Sequence, residues 1–363
     1  ETGAVRWDVT IAVLDNAATE TLEELAEDDP LRDTEIAGAS GLGASMAPLV
    51  HDGLVIAGVT GAGYGLHVGE EADGVLGAVV GFEGRFGRRG YLAAFDAETG
   101  AEVWRWYTTK EDGWEGEWRE TSLEGTSMNR DIAAEKARQA KYSDAWQVGG
   151  GSLWTTPALD PELGLIYFGT GNPAPQMDDV SRPGDNLHTV SLVAVDVRTG
   201  KLRWHYQQVP HDIWGYDVAS PPMLFDVVHD GATVQAVGEA SKTGWYYVND
   251  RVTGDLLYLS EPFVPHRNIF ARPTEEGVTI APGAAGGSSW SPTAYDPSTG
   301  LVYVAGLHMP TTYTVRERRA TDTQPALRYS VLRMADEPRW GVLSAIDTRH
   351  RGRIRWQVKT KSI

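Results

Sequence analysis

The chain has 363 residues and a formal net charge of −18, a field that repels phosphate backbones and argues against nucleic acid as a partner. Without a single cysteine it has no disulfides, no thiolate zinc site and no covalently attached haem. Its 41 glycines and 19 prolines point to many short elements joined by turns, and no apolar run reaches the ~18 residues that would span a membrane.

In chain order, ETGAVRW at 1–7 pairs Thr-Gly with a following aromatic, and 45–60 (SMAPLVHDGLVIAGVT) is an apolar stretch carrying Ser45 and Thr60. Residues 61–88 are Gly-rich and read as a loop insertion. The segment 94–104 (AFDAETGAEVW) repeats the opening pattern in full: a small or apolar pair, Asp, Thr-Gly, then an aromatic. A second insertion, 111–147, is polar, with a helix predicted over 129–141. The first pattern returns at 194–204 (AVDVRTGKLRW), at 248–258 (VNDRVTGDLLY) and, degenerate, at 345–356 (AIDTRHRGRIRW). A second pattern occurs at 154–167 (WTTPALDPELGLIY) and again, in identical register, 136 positions later at 290–303 (WSPTAYDPSTGLVY).

Each copy of the first pattern reads as a strand, a tight turn whose glycine supplies the positive φ, and a strand ending in a packing aromatic. A hairpin alone cannot bury both faces, whereas stacked sheets can, and repeated stacking of small sheets is the logic of a β-propeller. The expected fold class is all-β, one propeller domain over 1–363, with five motifs implying about five blades. Because an unclosed arc leaves exposed sheet edges, an excerpt from a longer propeller is expected.

The residues at 149–172 (GGGSLWTTPALDPELGLIYFGTGN), 182–186 (RPGDN), 210–217 (PHDIWGYD) and 242–251 (KTGWYYVNDR) resemble, in order and spacing, the quinoprotein alcohol and methanol dehydrogenases. That resemblance extends over nearly the whole chain, from Glu1 to Trp356. It implies an eight-bladed propeller holding pyrroloquinoline quinone (PQQ) over its axis beside calcium or a lanthanide. It also implies site residues. Trp154 matches the apolar floor on which a planar quinone stacks, and Ser152, Thr60 and Ser45 match hydroxyl-bearing positions near the cofactor. Lys242 matches the basic residue that hydrogen-bonds the quinone oxygens, and Asn172 the metal-ligating asparagine, a hard-oxygen donor. Trp290, the repeat partner of Trp154, is read as a core tryptophan.

Two positions depart from the family pattern. The aspartate proposed as base is Gly215 here, and Asp217, two residues on, is the substitute carboxylate, with Asp212 either a second substitute or a cap for its own loop. The family's ligand glutamate aligns with Gly63 or Arg85, depending on the anchor used, leaving Glu70, Glu71 and Glu83 as candidates within the insertion. The family's rim asparagine is Ser289, and the vicinal cysteine pair of many members is absent. The expected function is a PQQ-dependent dehydrogenase that oxidises an alcohol-type hydroxyl to a carbonyl. Electrons would pass to a separate acceptor, a cytochrome or quinone, since the chain has no haem-attachment motif. The alternative is a non-catalytic propeller kept for binding proteins or ligands. The resemblance implies a periplasmic or extracellular location.

Overall fold

The computed structural model describes residues 3–12, 42–61, 67–70, 76–80, 87–318 and 327–360. Four antiparallel meanders follow one another along these residues, each a propeller-type blade. The first blade runs from a broken inner strand (Leu42–Gly43, Leu49–His51) through Leu54–Gly61 and Tyr91–Asp96 to Glu102–Tyr107. The second comprises Ala158–Asp160, Leu165–Gly169, Ser191–Asp196 and Leu202–Gln207. The third comprises Met223–His229, Ala232–Ala240, Tyr246–Asp250 and Leu256–Leu259, and the fourth Ala294–Asp296, Leu301–His308, Trp340–Asp347 and Arg353–Lys359.

The repeated Asp-x-x-Thr-Gly turn works as its chemistry predicts. Asp96 Oδ1 accepts from the Glu98 and Thr99 amides and the Thr99 hydroxyl, and Asp196 does the same with Arg198 and Thr199. These donors hold both carboxyls below the usual carboxylate range. The turn glycine serves twice. Gly200 has φ +65, and a Cβ there would lie 2.4 Å from the Trp104 ring, so glycine is needed for the turn and for the tryptophan packed on it. Trp104 then donates through Nε1 to Val197 O at 3.0 Å, and Trp204 to Arg251 O at 3.1 Å over Gly254. The terminal aromatics of the first three blades thus close on the next blade's turn, the third through Tyr258 donating to Thr348 O at 3.2 Å, whereas Trp356 of the fourth is exposed. Apolar residues of neighbouring blades complete the joints: Trp106 and Leu92 with Phe168 and Val193, then Trp204 and Tyr167 with Val237, then Phe225 and Tyr246 with Val302.

The opening motif docks by the same rule: Trp7 donates to Ala97 O at 3.0 Å above Gly100, and residues 3–12 form no strand. Five motifs thus resolve into four blades and one docked segment. A fifth sheet arises elsewhere. Residues 61–88, read as a loop, contain strands His67–Glu70 and Leu76–Val80, and Leu76–Val80 pairs with Leu327–Met334 (Ser330 opposite Val80). Thr311–Arg318 and Val278–Ile280 extend that sheet. Its strands come from excursions within the first and fourth blades and from the segment between the third and the fourth, so it links both ends of the arc and packs Tyr313, Leu332 and Ile280 against Trp214 and Tyr216. In the second insertion the helix spans Ile132–Arg138, with Asp131 as N-cap, followed by a 3-10 turn at Gln139–Tyr142.

Candidate functional site

The four blades surround a cavity of 810 Å³, within the size range of small-molecule sites. Ser45, Thr60, Trp154, Asp217 and Lys242, five of the residues singled out by sequence, all line it. Ser45 and Thr60 come from the first blade and Lys242 from the third, while Trp154 and Asp217 lie on the segments that join the second blade to its neighbours. The Ser45 and Thr60 hydroxyl oxygens lie 3.4 Å apart. Trp154 is half-buried and meets Trp290 edge to face, with ring centroids 6.3 Å apart and an interplanar angle of 69°.

Lys242 follows the strand Ala232–Ala240, and its stem is clamped by the close approach of Gly286, where a Cβ would fall 2.3 Å from Lys242 Cγ. That clamp aims the ammonium at two oxygens. Nζ donates to Gly215 O at 3.0 Å and to Asp217 Oδ2 at 3.1 Å. The other Asp217 oxygen, Oδ1, accepts from the Asn172 amide at 2.6 Å. Both residues are buried, so a lost partner at either would leave an uncompensated buried charge.

Other expected site residues lie elsewhere. Ser152 is 4 % exposed and lies beneath the chain at Gly171, whose amide donates to Ser152 O, so it does not line the cavity. Asn172, expected to ligate a metal, is turned inward instead: its Nδ2 donates to Asp212 Oδ2 at 2.5 Å and its Oδ1 accepts from Gln176 Nε2 at 3.1 Å. Asp212 caps its own loop, accepting from the Trp214, Gly215 and Tyr216 amides, and burial pushes its carboxyl above the usual range. Glu71 and Glu83, like Gly63 and Arg85, lie outside the described residues, and Glu70 is described only as part of a strand. No group of three or more His, Cys, Asp or Glu able to hold a metal ion occurs among the described residues.

Among the lining residues that the sequence did not mark as part of the site, two bear on its chemistry. Trp290, expected in the core, is 71 % exposed and forms part of the cavity wall. Its shared register with Trp154 was the available signal. Gln176 lines the cavity while its Oε1 is buried without a hydrogen-bond partner, and nothing in its local sequence marks it.

A family model described as "PQQ: Glucose/ethanol/alcohol dehydrogenase, beta-propeller domain" matches residues 75–269 and 262–362. The chain is 34 % identical over 281 residues to a quinohemoprotein alcohol dehydrogenase of Comamonas testosteroni, covering 73 % of this chain and 35 % of that protein. It is 30 % identical over 267 residues to a lanthanide-dependent methanol dehydrogenase of Methylorubrum extorquens, covering 67 % and 44 %. Among solved structures, the Comamonas testosteroni enzyme superposes with a TM-score of 0.65 at 27 % identity, over 90 % of this chain and 48 % of that one. A europium-containing methanol dehydrogenase gives 0.63 at 27 % identity, over 88 % and 54 %. The chain therefore spans about a third to a half of the length of these relatives.

Proposed function

We propose, from the fact that this chain belongs to the β-propeller family of PQQ glucose, ethanol and alcohol dehydrogenases, that its cavity holds PQQ for oxidation of an alcohol-type hydroxyl to a carbonyl. The observation that carries this reading is the convergence of Trp154, Lys242, Asp217, Thr60 and Ser45 on one cavity. A planar, anionic quinone suits that lining: an aromatic wall for its face, an ammonium for its oxygens and hydroxyls for its edge. Bound there, PQQ would supply the oxidant that accepts the substrate's two electrons.

The chain's own residues have distinct parts in this reading. Trp154 and Trp290, set at 69°, form a corner in which only one ring can lie flat against the quinone, and Trp154 is the more enclosed of the two. Lys242 is held by Gly215 O and Asp217, so its charge is already in position when negative charge develops on quinone oxygens. Asp217 is the carboxylate that lines the cavity and takes the substrate hydroxyl proton in this reading. The metal-polarised form of the reaction, expected from the resemblance, finds no donor set among the described residues, and no step is assigned to a metal. Transfer of electrons to a separate cytochrome or quinone, and a periplasmic or extracellular location, belong to the same proposal.

Titration of the purified chain with PQQ, followed by tryptophan fluorescence, tests the cofactor reading, and dye-linked oxidation of primary alcohols tests the reaction. Saturable quenching with turnover supports both. A second reading, a propeller that binds quinone without turnover, is favoured by one observation: Gly215 supplies no carboxylate where the family has its base. It expects quenching without dye reduction.

A further inference from the structure

We infer that this cavity binds its quinone without a divalent or trivalent cation, the Lys242 ammonium being the positive charge at the quinone's polar edge. The inference rests on the PQQ reading above, but its geometric basis is independent of it. A hard cation such as Ca²⁺ needs six to eight oxygens with lone pairs free to face it, usually including carboxylates. Among the described residues, the oxygens of Asp217, Asp212 and Gly215 already face N–H donors, and the lining oxygen without a partner, Gln176 Oε1, is a single neutral carbonyl, short of a hard cation's ligand set. Asp217 accepts from Asn172 N and from Lys242 Nζ. Asp212 accepts from three backbone amides and from Asn172 Nδ2. Gly215 O accepts from Lys242 Nζ.

The amides are oriented by the same chain of bonds. Because Asp212 acts as an acceptor, Asn172 presents its NH₂ to it and its Oδ1 to Gln176, which must answer with its own NH₂. Gln176 Nε2 lies 3.5 Å from the position a Gly215 Cβ would occupy, and Met177 Cε lies 2.8 Å from it. The space into which a carboxylate at 215 would project is therefore filled by an N–H donor and a methyl group. Both disfavour a cation. An ion placed between Asn172 and Asp217 would also face the Lys242 ammonium at short range, a repulsion that low local dielectric makes large.

Reciprocity of binding gives the test: a cation held beside the quinone must change the quinone's affinity by the factor that the quinone changes its own. PQQ titrations of the purified chain in EDTA, in Ca²⁺ and in La³⁺ are expected to agree within about twofold. Tightening by about tenfold or more in either metal overturns the inference. Lys242→Met is expected to weaken PQQ more than about tenfold, with no rescue by either ion, and rescue overturns the inference. Terbium is the probe that needs no PQQ. Luminescence sensitised by Trp154 or Trp290 is expected to contain no stoichiometric component that disappears in Asp217→Asn; such a component overturns the inference. Asn172→Leu replaces that variant if circular dichroism shows it unfolded. Failure of PQQ to quench in all three buffers refutes the PQQ reading, while the terbium arm still decides whether a cation site exists.

Discussion

Trp154 and Trp290 open two copies of one sequence pattern, line the same cavity and touch edge to face, yet one is half-buried and the other 71 % exposed. The three residues before each ring account for the difference. Gly151, Ser152 and Leu153 run between the first two blades: a Cβ on Gly151 would meet Thr108 Cγ2 at 2.1 Å, and Leu153 is 1 % exposed in the joint. Gly287, Ser288 and Ser289 precede Trp290 and are tied by polar bonds, with Ser220 Oγ donating to Ser289 O at 2.6 Å and lying 3.3 Å from Ser288 Oγ. Apolar anchoring draws the first ring in, whereas polar anchoring leaves the second at the rim. A shared repeat thus sets backbone register, and the residues preceding it set ring depth.

That gradient of burial can be extended and broken. Trp204, 8 % exposed and closed over Gly254, is the reference for a fully docked ring: Trp204→Ala is expected to lower unfolding free energy by about 3–5 kcal/mol in urea titrations. The support behind Trp290 should depend on pH, because Ser220 N donates to Glu239 Oε1 and burial pushes Glu239 up to about 8 from 4.5. The folded state then keeps a proton that the unfolded state releases, so this contribution is complete below pH 4.5 and is lost as pH rises towards about 8. The slope within that window is at most about 1.4 kcal/mol per pH unit, and Glu239→Gln should remove it from the thermal midpoint.

Restoring the family's carboxylate is expected to harm rather than help. At φ +89, and with Met177 Cε 2.8 Å from a Cβ, Gly215→Asp should cost about 1–3 kcal/mol in stability with no gain in dye-linked activity. Increased turnover would refute the assignment of the proton acceptor to Asp217. The smallest effect separates the paired rings directly: Trp290→Ala should change stability by less than about 0.5 kcal/mol, whereas Trp154→Ala should abolish most PQQ quenching. Equal stability losses would sink the explanation from preceding residues.

The blades were readable from the sequence because their turns are local. Asp96, Asp196, Asp250 and Asp296 each accept hydrogen bonds from groups no more than three residues ahead, and a packing aromatic follows four residues after each of the first three turn glycines. The family resemblance likewise identified Trp154, Lys242, Thr60 and Ser45, and the carboxylate two residues beyond Gly215 added Asp217; the folded chain brings all five together. The fifth sheet was not readable, since its Gly-rich strands gain their pattern only by pairing with residues some 250 positions away, as Val80 does with Ser330. Gln176 was equally hidden: its orientation depends on Asn172 and Asp212, and its neighbour Gly215 is 39 positions on.

By itself, then, the sequence determined the repeating hairpins, the propeller and the family, because backbone turns and strand alternation are fixed by near neighbours. Tertiary structure alone decided the depth of each tryptophan, the inward turn of Asn172 and the Lys242–Asp217 pair. Each of those depends on hydrogen-bond partners and packing surfaces that distant segments supply only once the blades have stacked.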